Sequence, residues 1–117
     1  MKVLVAGSRS ITDYDMVCSA ITDSGFEITT LLSGAARGVD RLAEKWAEEN
    51  DIPVIHYHPE WNKYGKRARI LRNDAMMNDA EAVVIVWDGI SKGTKHTMTA
   101  ARIRKKQLHM VLFSNNE

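Results

Sequence analysis

The chain has 117 residues, of which 44% are hydrophobic, and its 16 Lys and Arg nearly balance 15 Asp and Glu to give a net charge of +1. This length fits one globular domain, and no apolar run is long enough to predict a membrane partner or a membrane span. The single cysteine, Cys18, excludes an internal disulfide. Because the N-terminus also lacks a secretory leader pattern, we expect a cytoplasmic protein.

Strands and helices alternate along the chain. Runs rich in Val, Ile and Leu predict strands, and apolar residues that recur every three or four positions predict helices. In chain order we expect a strand at 2–6, a helix between Asp13 and Ser24, a strand at 28–32, a helix between Gly38 and Asn50, a strand at 53–58, a loop at 59–65, a helix at 67–77, a strand at 82–87, a helix at 93–106, a strand at 108–113 and a frayed tail at 114–117. This order predicts one α/β domain over residues 1–117. Its core would be a doubly wound five-stranded parallel sheet of the Rossmann-like type, with helices on both faces.

Three turns that follow predicted strands have the composition of phosphate-binding loops. Glycine allows a ligand to approach the backbone closely, and a helix N-terminus offers unpaired N–H groups. The candidate binding residues in these turns are Gly7, Ser8 and Arg9 in the first, Ser33, Gly34, Ala35, Arg37, Gly38 and Asp40 in the second, and Asp88, Gly89, Ser91, Gly93 and Thr94 in the third. The carboxyl ends of parallel strands meet at one edge of a sheet, so we expect a nucleotide-like ligand there. The alternative for each loop is a tight turn without a ligand, and for Thr94 a helix cap.

Some side chains in these turns predict particular roles. We expect Arg37 to clamp a phosphate with two hydrogen bonds. The backbone amides at the start of the following helix are expected to face the same phosphate. Asp40 would repel an anion, so its carboxylate is predicted to accept hydrogen bonds from backbone amides or from a ribose hydroxyl. Asp88 could accept a ribose hydroxyl or act as a base, or it could simply form an Asp-Gly turn. The glycine spacing matches neither a Walker loop nor a dinucleotide fingerprint.

The segment from Trp61 to Asn73 is basic: its charged residues are Lys63, Lys66, Arg67, Arg69 and Arg72. It predicts either an anion-facing surface or an ordinary solvated face. Arg72 and Asn73 are expected to lean over the sheet edge. Trp61 is expected to stack on a base or ribose, or to pack beneath its loop. No third residue lies at a spacing that would complete a metal site with His56 and His58, so no metal is expected. No cofactor is expected either.

Four motifs in a fixed order resemble one family. They are Leu4-Val5-Ala6-Gly7-Ser8-Arg9, the Ser-Gly-Ala-Ala-Arg-Gly-Val-Asp run at 33–40, the Trp61, Tyr64-Gly65 and Arg72-Asn73 spacing, and the Asp-Gly-x-Ser-x-Gly-Thr run at 88–94. This set resembles the YspA/YpsA-related branch of the SLOG superfamily, which is similar in fold to the LOG phosphoribohydrolases and to the Smf/DprA single-strand DNA binders. The resemblance implies a Rossmann-like domain for nucleotides or derivatives such as ADP-ribose and NAD products. It also implies links to phages and mobile elements, and possible homo-oligomers.

One position departs from the enzymes of this group. In LOG enzymes a catalytic glutamate follows the Gly-Thr pair by three residues, and here that position is Thr97. Cleavage of a glycosidic bond would then need another carboxylate, with Asp88, Asp40 and Glu44 as the candidates. We therefore expect binding of a phosphorylated nucleoside or nucleotide derivative, as a sensor or sequestering domain. The alternatives are a nucleotide N-glycosidase and a single-stranded nucleic-acid binder that uses residues 63–72.

Overall fold

The computed structural model describes residues 1–113, so the frayed tail expected at 114–117 lies outside the described residues. The strands are β1 (Lys2–Gly7), β2 (Thr30–Ser33), β3 (Val54–His56), β4 (Ala82–Trp87) and β5 (Gln107–Leu112). The helices are α1 (Tyr14–Asp23), α2 (Val39–Glu49), α3 (Trp61–Tyr64), α4 (Ala68–Asp79) and α5 (Lys92–Ile103), with a 3₁₀ turn at Gly65–Arg67. Within residues 1–113, none of these helices combines the length and the apolar character needed to cross a bilayer.

The five strands form one parallel sheet in the order β3-β2-β1-β4-β5. The chain winds outward from β1 in one direction through β2 to β3, and then crosses back to β4 and β5. The order therefore reverses between β1 and β4, where a crevice opens at the carboxyl ends of the strands. The prediction of a Rossmann-like α/β fold with a five-stranded parallel sheet is confirmed.

Alternate residues of β1 point to opposite faces of the sheet, and each face carries its own apolar cluster. Val3 and Val5 pack in the cluster that includes the buried faces of α1 and α2. Leu4 packs in the other cluster, with Met76 and Met77 of α4 and with Ala101 of α5. Because both faces are covered, the central strands are apolar along almost their whole length, which is why they could be predicted from the sequence.

The largest departure from the predicted elements is at residues 59–65, which were expected to form a loop. The structure has the short helix α3 there, because the Glu60 carbonyl accepts hydrogen bonds from the N–H groups of Lys63 and Tyr64 at 3.1 and 3.0 Å. The strand expected to reach His58 also ends early, at His56. That strand is at the edge of the sheet and pairs only with β2, so it stops where its partner stops.

The last helix ends at Ile103, although it was expected to continue to about Lys106. Lys105 adopts a left-handed conformation with φ of 55°, and the Lys106 N–H donates to the Ala101 carbonyl at 3.0 Å. This is the usual geometry of a helix C-terminus, and it turns the chain directly into β5.

Candidate ligand-binding site

An open cavity of about 450 Å³ lies at the carboxyl ends of β1, β2 and β4, and we call it the edge cleft. Its walls come from four parts of the chain. They are the β1 loop with Ala6, Gly7, Arg9 and Ser10, the β2 loop and first turn of α2 with Gly34, Ala36 and Asp40, helix α4 with Arg69, Arg72, Asn73 and Met76, and the β4 loop and α5 with Asp88, Ser91, Gly93, Thr94 and Thr97. The predicted turns therefore supply three of the four walls.

Positive charge is concentrated in the edge cleft. Arg9, Arg69 and Arg72 all line it. Burial is the main cause that lowers the pKa of the Arg72 guanidinium, and the charges of Arg69 and Arg9 lower it further. The three guanidinium groups are therefore close enough to repel one another. Such a cluster is favourable only where an anion or a carboxylate offsets the repulsion between the arginines.

The N-terminus of α5 adds unpaired donors to the same cavity. The N-cap residue Ser91 makes no side-chain hydrogen bond to the helix backbone. The N–H groups of Lys92, Gly93 and Thr94 have no acceptor among residues 1–113. Nothing lies within 4 Å of the place where a Gly93 side chain would begin. These amides and the positive end of the helix dipole are therefore accessible to an anion in the cleft.

Arg72 is fixed in place by the backbone of two loops. Its Nη1 donates to the Gly34 carbonyl at 2.8 Å and to the Tyr57 carbonyl at 3.2 Å. Its Nε donates to Oδ1 of Asn73 at 2.7 Å. The structure thus places Arg72 and Asn73 on the cleft wall, and Arg72 also joins α4 to the loops that follow β2 and β3.

Asp40 is a buried carboxyl on the wall of the cleft, with 6% of its surface exposed. Burial raises its pKa to about 6, against the opposing effects of the Ala36 amide and of the Arg72 and Arg9 charges. Its Oδ2 accepts from the Ala36 N–H at 3.3 Å, while no group among residues 1–113 donates to Oδ1. A side chain at Gly34 would begin 3.1 Å from Asp40 Oδ2 and 3.2 Å from Arg72 Nη1, so glycine leaves room for this pair.

The loop after β2 contributes less bare backbone than its composition predicts. The Ala35 N–H donates to Oγ of Ser33 at 3.1 Å, and Ala35 itself has a left-handed φ of 58°. Ser33 is fully buried, and its hydroxyl donates to Glu44 Oε2 at 2.6 Å. Arg37 is exposed and does not line the cleft. The expected clamp by Arg37 is therefore absent from this geometry, because the loop turns that side chain towards solvent.

Part of the start of α2, which we expected to face a phosphate, is in contact with protein. The Val39 N–H donates to the Ser8 carbonyl at 3.4 Å. Gly38 has φ of 77°, and a side chain there would begin 2.5 Å from the Ser8 carbonyl oxygen. The close approach of these two loops explains why glycine is needed at position 38. Among the two helix N-termini considered, it is that of α5 that opens into the cleft.

Ser8 holds three loops together rather than facing a ligand. It is fully buried. Its N–H donates to the Val86 carbonyl at 3.1 Å, and its carbonyl accepts from the N–H groups of Ile11 and Val39, both at 3.4 Å. Its hydroxyl accepts from the Asp88 N–H at 3.0 Å.

Asp88 has the hydrogen bonds of a turn-forming residue. Its Oδ1 accepts from the N–H groups of Ile90 and Ser91, both at 2.8 Å, and its Oδ2 accepts from the Ser10 hydroxyl at 3.1 Å. The bonds from the Ser91 and Ile90 amides are the main reason that its pKa is lowered. A carboxylate held ionised in this way is a poor proton donor or acceptor near neutral pH.

Two other predicted residues of this region differ in their roles. Gly89 has φ of 85° and lies outside the cleft, so it serves the turn. Thr94 is 5% exposed and lines the cleft, with its hydroxyl donating to Oγ of Ser91 at 3.2 Å.

Trp61 does not reach the cleft. It is 51% exposed, and the Arg69 guanidinium lies 5.8 Å from the centre of its ring. The neighbouring cations Lys63, Lys66 and Arg67 are exposed and do not line the cleft either. The basic segment is therefore divided, with only Arg69 and Arg72 directed to the cavity.

Arg69, Ser10 and Met76 line the cleft but were not among the predicted site residues. A signal for Arg69 and Met76 was present, since they lie three residues before and four after Arg72 and share its face of α4. The sequence carries no comparable signal for Ser10.

Comparison with known proteins agrees with the fold and the motifs. Residues 1–64 match the model of the YAcAr family, described as the YspA, cpYpsA-related SLOG family. The Gene 61 protein of Mycobacterium phage D29 is 34% identical over 112 residues, covering 86% of this chain and 88% of that protein. No solved structure matches. Because the family model covers residues 1–64 of 117, more than half of the chain, this protein belongs to the YspA/cpYpsA-related SLOG family.

Proposed function

We propose that this protein binds a phosphorylated nucleoside or a nucleotide derivative, of the ADP-ribose or NAD type, in the edge cleft and acts as a sensor or sequestering protein. The observation that carries the proposal is the convergence of Arg9, Arg69 and Arg72 with the open N-terminus of α5 on one cavity. Membership of the SLOG family indicates a nucleotide-related function, which supports the same assignment.

The phosphate would lie against the first turn of α5. There it would accept hydrogen bonds from the N–H groups of Gly93 and Thr94, and it would lie within the field of Arg9 and Arg69. Gly93 is suited to this role because it lines the cleft and the space where its side chain would begin is open. Charge-assisted hydrogen bonds of this kind are about twice as strong as neutral ones.

Asp40 would select the other end of the ligand. Its carboxyl group lies on the cleft wall and keeps one oxygen without a hydrogen-bond donor among residues 1–113. An ionised carboxylate accepts hydrogen bonds and repels a second anion, so a hydroxyl group fits this position better than a phosphate. A ribose phosphate presents the required combination of an anion and hydroxyl groups.

The test uses two substitutions at one open position. Gly93→Glu places a negative charge at the start of α5, where it suits the helix dipole but competes with a ligand phosphate. Gly93→Gln has the same size without the charge and is the matched control. We expect AMP, ADP-ribose or NAD at millimolar concentration to raise the melting temperature of the unmodified protein. Gly93→Glu should abolish that shift and Gly93→Gln should retain a larger part of it. If no ligand of this panel shifts the unmodified protein, the proposal is wrong.

A second candidate is hydrolysis of a nucleotide N-glycosidic bond, and the environment of Asp40 favours it. A carboxyl with a pKa of about 6 is partly protonated near neutral pH, so it could protonate the departing base. Of the three acids predicted for this role, Glu44 does not line the cleft, Asp88 has a pKa lowered mainly by backbone amides, and Asp40 has a pKa raised by burial. Release of free base from a nucleotide panel tests this candidate. Asp40→Asn should stop that release while leaving nucleotide binding measurable, and a panel that yields no free base would exclude hydrolysis.

A further inference from the structure

A second cavity joins the edge cleft and has a different chemical character. It is a groove of about 390 Å³ between α4 and α5, which we call the α4–α5 groove. The two cavities share Arg69, Asn73, Met76, Gly93 and Thr97 as lining residues. The two cavities are therefore adjacent, and the groove lies beside a ligand bound at the start of α5.

The part of the groove beyond the shared residues is mainly apolar. Leu4 and Met77 are buried residues that line it, Ala100 lies on the α5 side, and Ile70, which is 64% exposed, lies on the α4 side. Methionine side chains adapt their shape and make favourable contacts between sulfur and aromatic rings. The lining thus suits a flat, weakly polar group better than a second phosphate or a sugar.

The polar residues that line the groove are Arg69, Asn73, Asp74, His96 and Thr97. Arg69 and His96 are exposed, whereas Thr97 and Asp74 are paired within the protein. The Thr97 hydroxyl donates to the Gly93 carbonyl at 3.1 Å. Asp74 is paired with Arg104, whose Nη2 lies 3.1 Å from Asp74 Oδ1 and which thereby ties α4 to the end of α5. Asn73 is different, because its side-chain NH₂ has no acceptor among residues 1–113.

Asn73 lines both the edge cleft and the α4–α5 groove. An amide donor in that place can select a ring by a hydrogen bond to its edge, while the apolar walls enclose the ring faces. Trp61, which was expected to stack on a base, is outside the cleft, whereas the groove lies next to the proposed phosphate site and has apolar walls that can enclose a ring.

We propose that the α4–α5 groove is a nucleobase subsite, which receives the base of the ligand whose phosphate lies in the edge cleft. This inference rests on the proposed function and narrows it: the ligand is a nucleotide whose base contributes affinity, not a sugar phosphate or a free anion. Met77 and Ala100 line the groove alone, so they can report on it separately from the cleft.

The first experiment compares ligands on the unmodified protein. Calorimetry would measure binding of the four nucleoside 5′-monophosphates, ADP-ribose and ribose 5-phosphate. NMR of methyl-labelled methionine would follow the Met77 ε-methyl group. We expect at least one nucleotide to bind tenfold or more tightly than ribose 5-phosphate. We also expect the Met77 signal to move with that nucleotide and to stay in place with ribose 5-phosphate.

The second experiment fills the groove. Ala100→Met adds side-chain volume inside it, and Thr99→Met adds the same side chain at the adjacent, exposed position of α5 as a control. We expect Ala100→Met to reduce nucleotide affinity to that of ribose 5-phosphate, and Thr99→Met to change it less than twofold. If Ala100→Met does not fold, the Met77 signal of the unmodified protein decides the question.

The outcomes separate the two proposals. Equal affinities for nucleotides and ribose 5-phosphate, with a Met77 signal that none of them moves, would overturn the base subsite and leave the phosphate site standing. Absence of binding by every probe would overturn the proposed function and this inference together.

Discussion

Replacing Asp40 by asparagine should stabilise the protein, and the gain should depend on pH. Burial raises the pKa of Asp40 from 3.8 to about 6. Below pH 3.8 the carboxyl is neutral in both the folded and the unfolded chain, so it adds no cost. As the pH rises towards 6, the unfolded chain gives up its proton more readily than the folded chain does, and stability falls. Above that range the cost of the buried charge is fully present.

The size of the effect follows from the difference between the two pKa values. At about 1.4 kcal/mol per pKa unit, the difference corresponds to about 3 kcal/mol. Asparagine is neutral and keeps an oxygen that can accept from the Ala36 N–H. We therefore expect Asp40→Asn to be more stable than the unmodified protein by up to about 3 kcal/mol at pH 8, which corresponds to a rise in melting temperature on the order of 10 °C.

Urea unfolding at pH 4, 6 and 8 would measure this difference. The gain should be smallest at pH 4 and reach its full size at pH 8. Asp88→Asn is the control with the opposite sign, because the pKa of Asp88 is lowered and its ionised form stabilises the fold. That variant should lose stability at pH 8 and recover on acidification. A variant Asp40→Asn that is less stable than the parent at pH 8, or whose gain does not vary with pH, would refute the reasoning.

Four further variants test other parts of the structure. Gly7→Ala should lower the free energy of unfolding in urea by more than about 3 kcal/mol, because its Cβ would lie 2.1 Å from a β4 carbonyl oxygen. Gly93→Ala, which has open space around its Cβ, should raise the free energy of unfolding by up to about 1 kcal/mol. Arg72→Lys should lose about 1–3 kcal/mol by the same assay and weaken nucleotide binding measured by calorimetry, because a lysine cannot reproduce the guanidinium contacts to Gly34, Tyr57 and Asn73. Trp61→Ala should change ligand affinity less than twofold, since this ring is 51% exposed and outside the cleft; a larger loss would place Trp61 in the bound complex.

The fold could be predicted because its strands are buried on both faces. All five residues from Ala82 to Val86 are buried and apolar, so the strand stands out in the sequence without any knowledge of its partners. The edge strand β3 is harder to bound, because Ile55 and His56 are exposed and pairing with β2 decides where the strand ends. Helix α3 was not predicted because it has no buried residue and therefore no apolar pattern.

Two parts of the candidate site could be predicted from the sequence: the glycine turns, and the face of α4 that carries Arg72 and Asn73. What could not be read from the sequence is the direction of side chains in irregular loops, such as the outward turn of Arg37. The raised pKa of Asp40 was equally hidden, because it results from burial of the carboxyl, which outweighs the opposing charge of Arg72 from a distant part of the chain. Such properties arise only when the loops are packed together.

The four backbone and side-chain hydrogen bonds of Ser8 bear on how a ligand would arrive. Because Ser8 links the loops that follow β1, β2 and β4, these hydrogen bonds hold the walls of the edge cleft in place without a ligand. Association then needs little ordering of the chain, and the entropy lost on complex formation comes mainly from the incoming molecule. A frame of this kind favours fast association and dissociation of a small ligand.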